Sequence, residues 1–227
     1  MKLKDLIWVF VILGITAFVA FPLTRSLFET ATNNYPYFMG FIKTAILASM
    51  GEILVNRIKK GSYFSEKGII AKFIVWGFLG MVFVLIFKVF ASGIVAAQTV
   101  SLLPSISDNN FLSNLLTAFL ISFFMNLFFA PSFMILHRIT DNYIELGMGN
   151  PKQILKVKFS LVIDRIDWKF FFGFVVIKTI PLFWIPAHTI TFLLPENYRV
   201  LMAAYLSIAL GIILTFSKTS KVASKQQ

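Results

Sequence analysis

The chain has 227 residues, 58% of them hydrophobic, with 27 phenylalanines and a formal charge of +11, which is too apolar for a soluble domain. It contains no cysteine, which excludes disulfides, thiolate metal sites and thiol redox chemistry. The positive charge is dispersed over the ends of apolar blocks, where it sets topology and meets anionic headgroups, so it argues against a nucleic-acid partner.

The apolar blocks run roughly over 6–23, 37–56, 71–98, 111–136, 170–194 and 199–217. Each approaches or exceeds the roughly 18–20 residues needed to cross hydrocarbon. Inside lipid the backbone must satisfy its own hydrogen bonds, and continuous blocks of this length do so as helices. The alternating pattern of a membrane barrel is absent. The expected fold is therefore all-α: a polytopic transmembrane helical bundle of about six spans, with one interfacial amphipathic helix.

Lys2 and Lys4 precede the first block, but Phe18-Val19-Ala20 puts a phenylalanine where signal cleavage wants a small residue, so the block reads as an uncleaved anchor. Asn33-Asn34-Tyr35-Pro36 is a turn, with Pro36 opening the second helix. In that helix Ala45, Ala48, Ser49, Glu52 and Asn56 recur at helical spacing and share one face. Lys43 lies about 200° away from Ala45 and is expected to snorkel. After a break at Lys59-Lys60-Gly61-Ser62, Gly77, Gly80 and Lys88 mark a face of the third helix. The loop through Leu103-Pro104 ends at Asp108-Asn109-Asn110 with good N-cap chemistry. Asn114, Ala118, Ser122 and Asn126 form a small-polar stripe on the fourth helix, which is expected to stop near His137.

Asn150 and Pro151 then open a segment to Trp168 that is too charged to cross and is expected to lie along the membrane face as a helix. The fifth block holds Lys178, Pro181, Pro186 and His188, and its two prolines predict a kink. The carbonyls they free either line a cavity or are bonded by neighbouring side chains. Pro195 and Glu196-Asn197-Tyr198 make a tight connection to a last helix begun by Arg199, a residue suited to phosphate headgroups. Reading these last two blocks as one bent element gives the rival count of five spans.

Sixteen basic residues fall at the chain ends and in alternate gaps, against Arg25 and Arg199 in the others. This positive-inside pattern puts both termini on one, cytoplasmic, side.

Ionisable groups at membrane depth face the bundle interior or a wet cavity. Packing the three stripes together would leave Glu52, Lys88 and the asparagines inside, as either a structural network or a hydrated path. A buried Glu–Lys pair would serve there as a gate or as a lock. The chain has no H-E-x-x-H, G-x-S-x-G or Walker motif, and His137 and His188 stand alone. No enzymatic activity, metal or cofactor is expected.

Several elements resemble the family of the twenty-two-kilodalton peroxisomal membrane protein and the mitochondrial inner-membrane protein Mpv-seventeen. Tyr35-Pro36, Gly51-Glu52 and Asn56 match its opening Tyr/His-Pro, Gly-Asp and glutamine with conservative changes. Gly77-Phe78-Leu79-Gly80 and Lys88 match its G-F-x-G and following lysine, and Asn126 to Pro131 match D-Q-x-x-F-A-P without the aspartate. Trp184, Pro186, His188, Thr191 and Phe192 stand for W-P-x-x-Q-x-x-N-F, with Pro186 one place late and His188 for the glutamine. Pro195 to Arg199 follow as its V-P-x-x-Y-R. The resemblance makes residues 1–34 an anchor outside the family core, residues 35–218 the family-like domain and residues 219–227 a basic tail. It implies a small pore or solute-permeability protein of organelle membranes.

The resulting expectation is a channel passing small solutes or ions, lined or gated by Glu52, Asn56, Lys88, Asn126, Lys178, His188 and Arg199. A non-conducting scaffold acting through lipid or protein contacts of Pro151–Trp168 is the alternative. The expected partners are the lipid bilayer and a small solute or ion, with a homo-oligomer allowed. A bacterial plasma membrane is favoured and an organelle membrane comes second.

Overall fold

The computed structural model describes residues 3–107 and 110–223. Among them every regular element is helical: α1 (Leu3–Ala20), α2 (Pro22–Asn34), α3 (Pro36–Lys60), α4 (Ile69–Thr99), α5 (Phe111–Phe128), α6 (Ala130–Leu146), the short α7 (Pro151–Ile154), α8 (Phe159–Asp164) and α9 (Trp168–Phe170), a π-helical segment (Phe171–Trp184), α10 (Ile185–Leu193) and α11 (Glu196–Ala223). The chain is an all-α helical bundle. Five of the described helices are long and apolar enough to cross a membrane: α1, α3, α4, α5 and the continuous stretch Trp168–Leu193.

Local chemistry sets the boundaries. Pro22 and Pro36 open α2 and α3, where a missing N–H costs nothing. Gly61, at φ 72°, closes α3 in the left-handed conformation that glycine adopts freely. Asn110 caps α5 by accepting from the Ser113 N–H. Asn150 and Asp167 accept from the Lys152 and Phe170 N–H groups at the next starts.

Four departures from expectation have local causes. The first gap is itself helical, as α2, whose polar face carries Arg25 and Glu29 paired at i,i+4. The fourth helix does not stop near His137. It breaks at Phe129, just ahead of Pro131, and resumes as α6 through Leu146. The expected interfacial helix is two short helices, α7 and α8, because the chain is extended at Lys158 between them and leaves the helix again at Asp167 before the next span begins. The helix around Pro181 is π-helical over Phe171–Trp184 rather than α-helical. With no N–H to donate, Pro181 sits inside the wide turns of this segment.

Helices α3 and α4 cross where glycine removes the side chain between them. A Cβ on Gly40 would lie 2.9 Å from the Gly80 carbonyl oxygen, and one on Gly80 would collide with Gly40 and Thr44. On the other side of α3, a Cβ on Gly51 would come 3.2 Å from Ile208 Cα. Helix α11 runs beside α3 in the same direction, since Lys43 meets Asn197, Gly51 meets Ile208 and Gly211 meets Val55. The sixth block of the sequence thus corresponds to α11, whose 28 residues extend for about 42 Å.

Phe87, Ile121, Met125, Phe192, Val200 and Ala203 pack into a core between α4, α5, α10 and α11. Phe28, Leu47, Leu201, Ala204 and Ile208 join α2, α3 and α11. Large apolar side chains such as Ile70, Ile177 and Leu182 point outward, as a lipid-facing surface requires. The two ends of the bundle are chemically distinct. At one, Asp5 of α1 holds Arg57 and Tyr63. At the other, Lys88 meets Glu196 and Glu29 meets Tyr198.

Candidate functional site

A cavity of about 410 Å³ opens among α3, α4, α5, α6, the π-helical segment, α10 and α11, within the size range of small-molecule sites. Its end nearest the 61–68 loop is ionic. Glu52 of α3 accepts a 2.7 Å hydrogen bond from Trp76 Nε1 of α4. Lys72, one turn earlier on α4 and only 7% exposed, is ringed by carboxylates: Glu66 at 3.2 Å, Glu52 at 3.5 Å and Glu145 at 3.7 Å. Glu145 also binds Arg165, and Glu66 also binds Lys60. The chain has ten acidic residues, and Glu52, Glu66, Asp141 and Glu145 all line this cavity, so its charge is concentrated by design of the fold rather than by composition.

His137 of α6 stacks on Trp76 with ring centroids 4.3 Å apart. Its Nε2 stands between two carboxylates, 3.8 Å from Glu52 and 3.7 Å from Asp141. Burial alone would push the imidazole pKa down, but the charges of Asp141 and Glu52 outweigh it and raise it above the ordinary value. Burial likewise raises the Asp141 carboxyl. At Glu66, burial works against ionisation, and contacts with Lys60 and Lys72 reverse it, holding the carboxyl below its usual range. Glu52, His137 and Asp141 offer ligand atoms within 4.8 Å of one another, a spacing that a divalent cation could bridge. Lys72, 3.5 Å from Glu52, already supplies a positive charge at this place.

Deeper in the cavity the lining becomes neutral. Asn126 Nδ2 donates to the Ser122 carbonyl at 2.8 Å, and His188 Nδ1 lies 3.1 Å from that amide nitrogen and 3.2 Å from Asn126 Oδ1. Ser122 and Thr189 both donate to the Ile185 carbonyl beside Pro186. Among the described residues, the buried side-chain atoms without a hydrogen-bond partner are Thr44 Oγ1, Ser49 Oγ, His137 Nε2 and Trp184 Nε1. Thr44, His137 and Trp184 all line this cavity. A buried unmet polar atom costs about 1–3 kcal/mol, a cost that a polar occupant of the cavity would relieve.

A second cavity, of about 280 Å³, opens at the opposite end of the bundle, lined among others by Thr32, Lys43, Lys88, Glu196 and Arg199. Phe87 belongs to the linings of both cavities. It is 4% exposed and is held by Phe192 and by the His188 ring, with centroids 5.2 and 5.8 Å away. Phe87 is the residue that the two linings share.

Of the residues expected from sequence, Glu52, Asn56, Asn126 and His188 come together in the first cavity, and Lys88 and Arg199 in the second. The expected Glu52–Lys88 pair does not form: Glu52 takes Lys72, and Lys88 binds Glu196 at 2.9 Å near the surface. Lys43 does not snorkel. It is 6% exposed and donates to the Asn197 carbonyl at 3.1 Å, because α11 covers that face of α3. Asn114 and Lys178 are exposed, and Lys178 lines a shallow surface depression with Asp167 and Lys169. Of the motif residues, Gly51, Gly77 and Gly80 sit at helix contacts, Trp184 lines the large cavity, and Pro131, Pro186 and Pro195 mark helix starts or breaks. Sequence reasoning missed Lys72, Trp76, Phe87 and Asp141. Trp76 and Lys72 lie four residues apart, a same-face spacing that was available as a signal. No family model matches the chain, and no curated protein and no solved structure matches it.

Proposed function

We propose that this membrane protein carries small polar solutes or ions through a narrow path that is closed at Phe87. The observation that carries this reading is the shared lining: the buried Phe87 borders both a cavity with an ionic end and a basic cavity nearer the other end of the bundle. The unmet polar atoms of Thr44 and Trp184 support a polar content for the larger cavity. An apolar constriction between wet vestibules is a known way to gate conduction. The resemblance to the Mpv-seventeen family points the same way, and on this proposal the lysine-rich end faces the cytoplasm.

The test is permeability of reconstituted liposomes. Vesicles carrying the pure protein should release a small sugar alcohol or a monovalent ion faster than empty vesicles made of the same lipids. Equal rates for every small solute tried would overturn the reading.

A second reading, a non-conducting scaffold, rests on the surface of α7 and α8. Leu155, Phe159 and Leu161 project outward there, 87%, 57% and 54% exposed, beside exposed Lys152, Lys156 and Lys158. That combination suits contact with an anionic membrane face. On the scaffold reading, neutralising the three lysines abolishes activity and Phe87 substitutions leave it intact.

A further inference from the structure

We infer that the smaller cavity is a binding site for a phosphate-class anion. Its lining contains Lys43, Lys88 and Arg199 against the carboxylate of Glu196, an excess of two positive charges. Glu196 is already taken by Lys88, so Lys43 and Arg199 carry the excess. Among the described residues neither has a carboxylate within ion-pair distance.

Lys43 is the telling residue. Its ammonium lies 4.5 Å over the ring of Phe28 and gives one hydrogen bond, to the Asn197 carbonyl. An ammonium has three donors, and a buried cation without an anion is costly unless something neutralises it. Arg199, half-buried, also lacks a carboxylate partner among the described residues. Its Nε and one Nη donate to the Leu194 and Phe192 carbonyls, and the guanidinium lies over the Phe192 ring at 5.4 Å. A guanidinium has five N–H donors in a fixed fork, so donors remain for a ligand after these carbonyls are served.

The excess of two charges matches a dianion, and a guanidinium beside an ammonium suits a tetrahedral oxyanion. About 280 Å³ stands near the lower limit of small-ligand sites, so the ligand is an inorganic phosphate, a small phosphomonoester or the phosphate of a lipid headgroup. These share one chemistry and differ in origin. The site stands on its own geometry and does not require that Phe87 gate a path.

The experiment is calorimetric titration of the full-length protein, stripped of lipid in a neutral maltoside detergent and phosphate-free buffer. One arm uses inorganic phosphate against chloride at equal ionic strength, and a second uses monomeric dihexanoyl phosphatidic acid. Saturable binding of phosphate alone assigns the site to a free anion. Binding of the lipid alone assigns it to a headgroup. Lys43→Met keeps the volume and removes the charge, and Arg199→Gln removes the fork; each should weaken binding about tenfold or more.

If either of these variants fails to fold, Glu196→Gln carries the test on an exposed position. Loss of the competing carboxylate frees Lys88 and should tighten binding severalfold, while Lys88→Gln should weaken it. Absence of binding in both arms would overturn the inference, as would affinity unchanged in every folded variant. Because binding is read without flux, an impermeable protein that still binds phosphate would leave this site standing and remove the gated path alone.

Discussion

Lys72 is the residue whose loss the bundle should feel most. Its ammonium answers Glu52, Glu66 and Glu145 together from a buried position. Removing one member of a buried charge set leaves the others uncompensated, at a cost of about 3–5 kcal/mol. Lys72→Met should therefore lower the thermal unfolding midpoint in detergent sharply, and adding Glu52→Gln to it should recover part of the loss. Non-recovery would mean that Glu52 is not its main partner.

His137 supplies the pH dependence. Its raised pKa means that the folded protein holds the proton more tightly than the unfolded chain does. The resulting stability is full below the unfolded value of about 6.5 and is lost as pH rises through the higher folded value. The groups facing it are Glu52, Asp141, Lys72 and Arg138. A melting series upward from about pH 6.5 should show a decline that His137→Gln flattens. An identical slope in the variant would contradict the assignment. Glu52 and Asn126 were legible in the sequence because small and polar residues recur at helical spacing around them. Lys72 shares a face with Trp76 four residues on, but its carboxylate partners and the place of Phe87 lie across other elements and leave no mark on their own spacing. Lys43 was misread for the same reason: the periodicity of α3 shows one polar face, and only α11 reveals that the opposite side is covered as well.

At the scale of elements, the bundle depends on how closely α3 can approach its neighbours. Gly80 stands against the backbone of Gly40 and the side chain of Thr44, so any added side chain must push α4 away. Gly80→Val should cost about 1–3 kcal/mol or more through overpacking and shift the whole wall that bears Lys72, Trp76 and Phe87. Gly93→Ala on the same helix, where a Cβ meets nothing within 4 Å, should be neutral or slightly stabilising by helix propensity. Equal behaviour of the two variants in thermal melts would show that the crossing is looser than described. Helix existence and rough limits could be read from apolar length and from proline and asparagine signals. The π-helical segment could not. Proline announces a lost hydrogen bond, but not whether the turns around it are α or π.

For the whole molecule, block lengths and charge were enough to give the all-α bundle, while the pairing of blocks had to come from three-dimensional packing. Helix α11 lies along α3 with both running in the same direction, which on the six-span reading puts the start of α1, where Asp5 holds Arg57, on the same side as the end of α11. The absence of cysteine makes this easy to check. Single cysteines at Ser62 and Lys218 should react with an impermeant maleimide from the same face of sealed vesicles, and one at Ser105 from the other. Opposite-face labelling of 62 and 218 would support five spans.

Phe87 lines both cavities, and the proposed path closes there. The decisive measurement is current across a planar bilayer, comparing wild type with Phe87→Ala and Phe87→Trp at equal protein content. Larger or longer openings are expected for Phe87→Ala and suppressed current for Phe87→Trp, read on folded protein because Phe87→Ala also opens a core cavity at a cost of about 3–5 kcal/mol. Well-folded protein giving the same current in all three, or none in any, would contradict a path closed at Phe87.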